Sequence, residues 1–133
     1  MSEENVEMVR SSILGWNDRG VDAFVENVAP DVEFHAPKES MEPGIYRGPD
    51  GVRTYWERTG EPFTERRVES VDVIDVDDTH VIAVVKASVS TPHFAGEVEM
   101  NWAWLYTIEN GLVTRAETFT DRQQALEAAG LSE

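Results

Sequence analysis

Apolar positions at Val6, Val9, Ile13 and Trp16 recur at helical spacing, which predicts an amphipathic first helix. Ser2 can cap its start, and Gly20 follows the polar stop Asn17-Asp18-Arg19. A second, short helix carries Phe24, Val25 and Val28 on one face, and Pro30 is expected to end it. The period then drops to two. Asp31-Val32-Glu33-Phe34-His35 alternates polar and apolar, the pattern of a half-buried strand, with Pro37 closing it.

Lys38 to Arg47 shows no periodicity and contains Pro43 and Gly44, so it reads as a loop. Gly48-Pro49-Asp50-Gly51 opens a third helix with Val52, Tyr55 and Trp56 inward, ending near Gly60 and Pro62. Four strands are predicted beyond it, at 66–76, 79–91, 96–109 and 112–120. They are joined by turns at Asp77-Asp78, Pro92 and Asn110-Gly111. Asn110-Gly111 is the strongest hairpin signal, because both residues tolerate the positive φ of a tight primed turn. A last helix spans 122–129, before Gly130. Helices first and strands after them predict an α+β domain, with three N-terminal helices covering one face of a curved antiparallel sheet. No linker or composition break divides residues 1–133, so one domain is expected.

Composition narrows the chemistry. The chain has no cysteine, which removes disulfides, thiolate catalysis and Cys-ligated zinc. Acidic residues outnumber basic ones 26 to 11, a net charge of −15 that repels phosphate backbones and anionic lipid surfaces, so neither nucleic acid nor membrane is an expected partner. The start, Met1-Ser2-Glu3-Glu4-Asn5, lacks the basic-then-apolar pattern of a signal peptide, and a cytoplasmic location is expected. His35, His80 and His93 show no metal-ligand spacing, and no nucleotide or serine-nucleophile motif is present, so no metal or cofactor is expected.

The blocks Gly15-Trp16-Asn17-Asp18-Arg19-Gly20-Val21-Asp22, Pro30-Asp31-Val32-Glu33-Phe34-His35, Tyr46-Arg47-Gly48-Pro49-Asp50-Gly51-Val52 and Asp121-Arg122 follow one another in this order. Taken together they resemble the SnoaL-like polyketide cyclase branch of the nuclear transport factor 2-like and ketosteroid isomerase-like superfamily. The resemblance implies a cone-shaped, cystatin-like fold with a cavity between the helices and the concave face of the sheet. Its members run several different reactions in that cavity, or simply bind ligands, so fold alone does not assign chemistry. Ketosteroid isomerases need a carboxylate base on the first strand, a tyrosine on the first helix and a neutral carboxylic acid on the third long strand. The matching positions here are Ala36 or His35, Ser12 and Trp104, so ketosteroid isomerase activity is not expected. SnoaL-like cyclases place an acidic residue near the end of the last long strand, where Asp121 stands.

On these grounds His35 and Asp121 are the candidate acid/base residues. Histidine exchanges protons near neutral pH, but His35 could equally fix the strand end. Asp121 with Gln124 also fits a capping box at a helix start. His80 and His93 flank turns and read as surface residues. On the third long strand Val98, Met100, Trp102, Trp104, Tyr106 and Ile108 share one apolar face. With Trp16, Tyr55 and Trp56 they would wall a pocket for a flat apolar ligand. Glu117 and Phe119, which share one face of the last strand with Val113, Arg115 and Asp121, are counted among the pocket residues, although an Arg115–Glu117 ion pair explains part of that face. The opposite strip, Thr114, Ala116, Thr118 and Thr120, is β-prone and mildly polar, which suggests a homodimer through the sheet face. The leading expectation is a cofactor-free lyase, isomerase or cyclase using acid/base chemistry on a small apolar or aromatic carbonyl compound. The alternative is a non-catalytic ligand-binding or dimerisation module.

Overall fold

A computed structural model describes residues 2–37, 43–60, 63–92 and 96–131. Helix α1, Ser2–Leu14, buries Val9 and Ile13, and the Asn5 amide at its start donates to the carbonyl of Asp78 across the fold at 3.1 Å. The first helix does not run unbroken through Trp16 as its periodicity predicts. It gives way at Gly15 to the single turn α2, Trp16–Arg19. The reason lies across space: a Cβ at Gly15 would meet the Cβ of Ala23 at 2.9 Å, so glycine lets α3, Val21–Val25, approach closely. Gly20, at φ 62°, makes the reversal between them.

Pro30 does not end that short helix either. The helix stops at Val25, and Val28 already opens strand β1, Val28–His35. Pro30 lies where the β1 ladder shifts register, between Val28 and Glu33, so its missing N–H is lost from a stretch without regular pairing. Part of the expected loop is strand β2, Ile45–Arg47, paired antiparallel with the end of β1, while 38–42 lie outside the described residues. Helix α4, Gly48–Gly60, turns Val52, Tyr55 and Trp56 inward as predicted.

The four long strands match their expected positions closely: β3 Glu65–Asp75, β4 His80–Ser90, β5 Glu97–Glu109 and β6 Leu112–Phe119. Asn110 and Gly111 adopt φ of 52° and 77°, the paired positive values a primed hairpin turn needs. At the β3–β4 hairpin the Asp77 carboxylate accepts from the Thr79 amide and from the His80 ring, each at 2.9 Å. Pro62 and His93 lie outside the described residues. The six strands form one curved sheet in the order β2-β1-β6-β5-β4-β3. Every pairing is antiparallel except that of β1 with β6, which runs parallel and joins the N-terminal strand to the middle of the sheet.

The sheet is covered unequally. Its inner face packs the larger core, with Val9, Ile13, Phe34, Trp56, Val85 and Trp104 all buried under the N-terminal helices. Its outer face carries a small second cluster, Ile82, Ala103 and Leu105, under Ala125 and Leu126 of helix α5, Arg122–Ala128. A bulge opposite Thr107 and Ile108 decides which way β6 faces. Strict alternation would put Val113, Arg115, Glu117 and Phe119 on one side. The extra residue instead lets Val113 and Ala116 both enter the inner core, with Thr118 buried beside them, and sends Phe119 to the outer cluster. Ala116 and Thr118 are therefore interior residues, not part of an exposed strip. Among the described residues no helix is long and apolar enough to cross a membrane.

Candidate functional site

All four tryptophans of the chain line one cleft on the inner face: Trp16 from α2, Trp56 from α4, and Trp102 and Trp104 from β5. The Trp16 and Trp56 rings lie 5.3 Å apart, and Phe24 meets Trp56 at 5.3 Å and Trp104 at 5.5 Å, both in edge-to-face geometry. Trp102 and Trp104, two residues apart on one strand face, stack with their planes 22° apart. Tyr55 continues the layer between Phe34 and Tyr46. Tyr106 follows Trp104 along β5, and burial pushes its phenol well above the ordinary tyrosine range, which keeps it neutral. Met100 is half-buried and Val98 is 46% exposed, so the apolar stripe of β5 outruns the core it serves.

These rings fill most of the space they enclose. The tryptophan cleft has a volume of about 30 Å³, and a second void beside Ser12, Phe34 and Tyr106 about 20 Å³. Each is on the scale of a single water, whereas pockets for drug-sized ligands run to roughly 300–1,000 Å³. Two of the indoles are satisfied, buried Trp104 by the Thr118 hydroxyl at 2.9 Å and half-buried Trp16 by the Arg66 carbonyl at 3.0 Å. The Trp56 Nε1–H is buried and has no acceptor among the described residues.

Arg66, at the start of β3, borders the cleft. Its guanidinium sits 5.0 Å from the Trp16 ring centroid and 5.2 Å from that of Trp56, within cation–π range of both. It donates to the Trp56 carbonyl at 2.8 Å and to the Thr59 hydroxyl at 3.4 Å, in the last turns of α4, where the helix dipole favours a cation. Gly60 makes room, since a Cβ there would collide with the guanidinium. Partial burial pushes the Arg66 pKa below its ordinary value, and no carboxylate pairs with it among the described residues. Nothing in the hydrophobic pattern marks this arginine. The nearest signal is Arg66-Arg67, two adjacent bases in a strongly acidic chain.

His35, Glu117 and Phe119 lie elsewhere. On β1, Val32 and Phe34 point into the core, and His35 borders an open groove of about 560 Å³ on the outer side with Ile45, Glu117, Phe119, Gln124 and Glu127. His35 Nε2 is 3.1 Å from a Glu33 carboxylate oxygen, and Arg47 donates to the other oxygen at 2.7 Å. Arg47 first, and then His35, hold the Glu33 carboxyl below the usual carboxylate range. Glu117 is paired with Arg115 at 3.4 Å. Asp121 stands at the N-cap of α5, where its Oδ1 accepts from the Gln124 amide at 2.9 Å. The Gln124 side chain reaches back to the Thr120 amide at 3.2 Å, one residue before the cap. Asp121 is not among the residues lining the groove that His35 borders. The structure thus groups Trp16, Trp56, Trp102 and Trp104 in one cleft and sets His35, Glu117 and Phe119 in another.

A curved sheet whose inner face is sealed by N-terminal helices over an aromatic interior defines the cone-shaped α+β class, described for solved relatives as cystatin-like or ketosteroid isomerase-like. The SnoaL-like domain matches residues 9–116, and the chain belongs to that family. TerC, crystallised with polyporic acid, superposes with a TM-score of 0.76 at 20% identity, covering 96% of this chain and 98% of TerC. A candidate polyketide cyclase from Xanthomonas campestris pv. campestris gives the same score and coverage at 14% identity. A ketosteroid isomerase-like protein from Catenulispora acidiphila in complex with trimethylamine gives 0.71 at 14% identity, covering 94% and 93% of the two chains. At these identities the likeness is one of fold. No curated protein sequence matches the chain.

Proposed function

We propose that this chain is a binding protein for a small, flat, apolar ligand held among the tryptophans, rather than an acid/base catalyst working in the cone. One observation carries this reading: the residues lining the tryptophan cleft include no Asp, Glu or His. Proton transfer needs such a group within hydrogen-bond reach of the reacting atom, and arginine stays protonated under all working conditions. Aromatic walls suit stacking on a planar ligand. Two of the fold's solved relatives, TerC and the Catenulispora acidiphila protein, were crystallised with small organic molecules, which supports a ligand of that size. The cleft holds about one water as it stands, so a ligand enters as the half-buried Trp102 swings outward. Because every tryptophan lines the cleft, intrinsic fluorescence reports on its occupancy. Titration with planar bicyclic compounds should shift or quench that emission saturably, and Trp102→Ala should weaken the response. Emission that never saturates with any such compound would sink the reading.

A second reading rests on the outer groove, whose volume of about 560 Å³ is large enough for a small carbonyl compound. In it His35 would transfer the proton, Asp121 would assist from the start of α5, and the reaction would be a cofactor-free isomerisation, cyclisation or elimination. Turnover of a carbonyl substrate that His35→Ala abolishes would favour this reading over the first. Turnover unaffected by both His35→Ala and Asp121→Ala would remove it.

A further inference from the structure

We infer that the tryptophan cleft selects anions: its ligand is an aromatic compound bearing a carboxylate or an ionised phenol, and Arg66 receives that negative oxygen. This rests on the binding reading above and adds the charge of the ligand. Two residues that line the cleft carry donors that the described residues do not fully match. Arginine presents five N–H donors in a planar fork, and the structure accounts for two contacts, both to α4. Trp56, which lines the same cleft, contributes a further buried N–H without an acceptor. A buried donor left unmatched is destabilising, and native proteins rarely keep one without a reason. A ligand oxygen placed at that N–H would satisfy it.

The charge distribution agrees. Acidic residues outnumber basic ones by 26 to 11 in the chain, yet the residues lining this cleft include Arg66 and Arg67 and no acid. Surface carboxylates act on a bound anion through water and salt, which screen them beyond about 8–10 Å. A guanidinium at contact distance, partly withdrawn from solvent, is screened far less, so the local cation outweighs the global negative charge. The cation–π stacking of Arg66 on Trp16 and Trp56 explains why the side chain is held there. It leaves the guanidinium charge without a counter-ion among the described residues.

Two probes of the same shape separate the terms: naphthoate, an anion at neutral pH, and naphthamide, its neutral counterpart. Calorimetric titration of the full chain at near-physiological salt should show naphthoate binding about 10-fold more tightly, the scale of one charge-assisted hydrogen bond. Arg66→Met should bring the two affinities together while naphthamide still binds, and Arg66→Lys should restore part of the preference. Equal affinities in the wild-type protein, or tighter binding of naphthamide, overturn the inference and leave the binding reading standing. A preference that survives Arg66→Met overturns the role of Arg66. Failure of both probes on the wild-type protein removes the binding reading and this inference with it.

Discussion

The two faces of the sheet are built on different principles. The inner face is a continuous layer of large rings, with few polar groups and almost no free volume. The outer face joins a small apolar cluster, completed by Ala125 and Leu126 of α5, to an open, charged groove around His35 and Glu117. Families of this cone fold are expected to keep their chemistry inside. Here the interior has aromatic surface and an arginine, while the titratable side chains with an open volume beside them are outside. An interior committed to packing contributes most of the stability, and exposed ion pairs such as Arg47–Glu33 contribute little.

Substitutions on the two faces should therefore differ in size. Trp104→Ala removes a 3%-exposed ring and strands the Thr118 hydroxyl, so it should destabilise by about 3–5 kcal/mol in denaturant unfolding. Leu126→Ala, in the smaller outer cluster, should fall at the low end of the core range, about 2 kcal/mol. Equal losses for the two would break the contrast between the faces. Asp121→Ala removes the cap of α5 and should cost about 1 kcal/mol, with Asp121→Asn retaining most of it. A much larger loss would mean that Asp121 does more than cap the helix.

A pH titration sharpens the comparison at the sheet's turn. The Asp77 carboxyl is held down to about 2, first by the Thr79 amide and then by the His80 ring. A carboxylate depressed in the folded state stabilises above its unfolded pKa, near about 4, and loses that contribution as pH falls towards 2. Asp77→Asn should accordingly lower stability above about pH 4, where the contribution is fully present, and flatten the acid limb as the two curves converge towards pH 2. An unaltered acid limb would show that the turn does not hold the carboxylate in solution. The smallest effect belongs to His35→Ala, which should change stability by no more than about 0.5 kcal/mol and leave naphthoate affinity unaltered. A shift in that affinity would couple groove to cleft.

What was legible in the chain was what depends on near neighbours. The long strands, the Asn110-Gly111 turn and the inward set Val52, Tyr55 and Trp56 follow from local period and turn chemistry. The departures share a different cause, contact between residues distant in sequence. The break at Gly15 depends on Ala23 packing against it, and the tolerance of Pro30 depends on how β1 meets β6. The three residues of β2 become a strand only because β1 lies beside them. At the site, the tryptophans announced themselves by type and spacing. Arg66 did not, since an arginine is drawn between two rings only once α2, α4 and β3 have met. The facing of Glu117 and Phe119 turned on one bulge, which no fixed period of two can express.

The parallel contact between β1 and β6 also bears on how the chain is made. Residues 65–109 can zip their hairpins together as they leave the ribosome, and β1 and β2 can pair with each other. The two halves stay unjoined until β6 inserts between β1 and β5. Translation must therefore pass Phe119 before the sheet can close, and a nascent chain stalled short of that point carries two further open strand edges, those of β1 and β5, each a template for pairing with another chain.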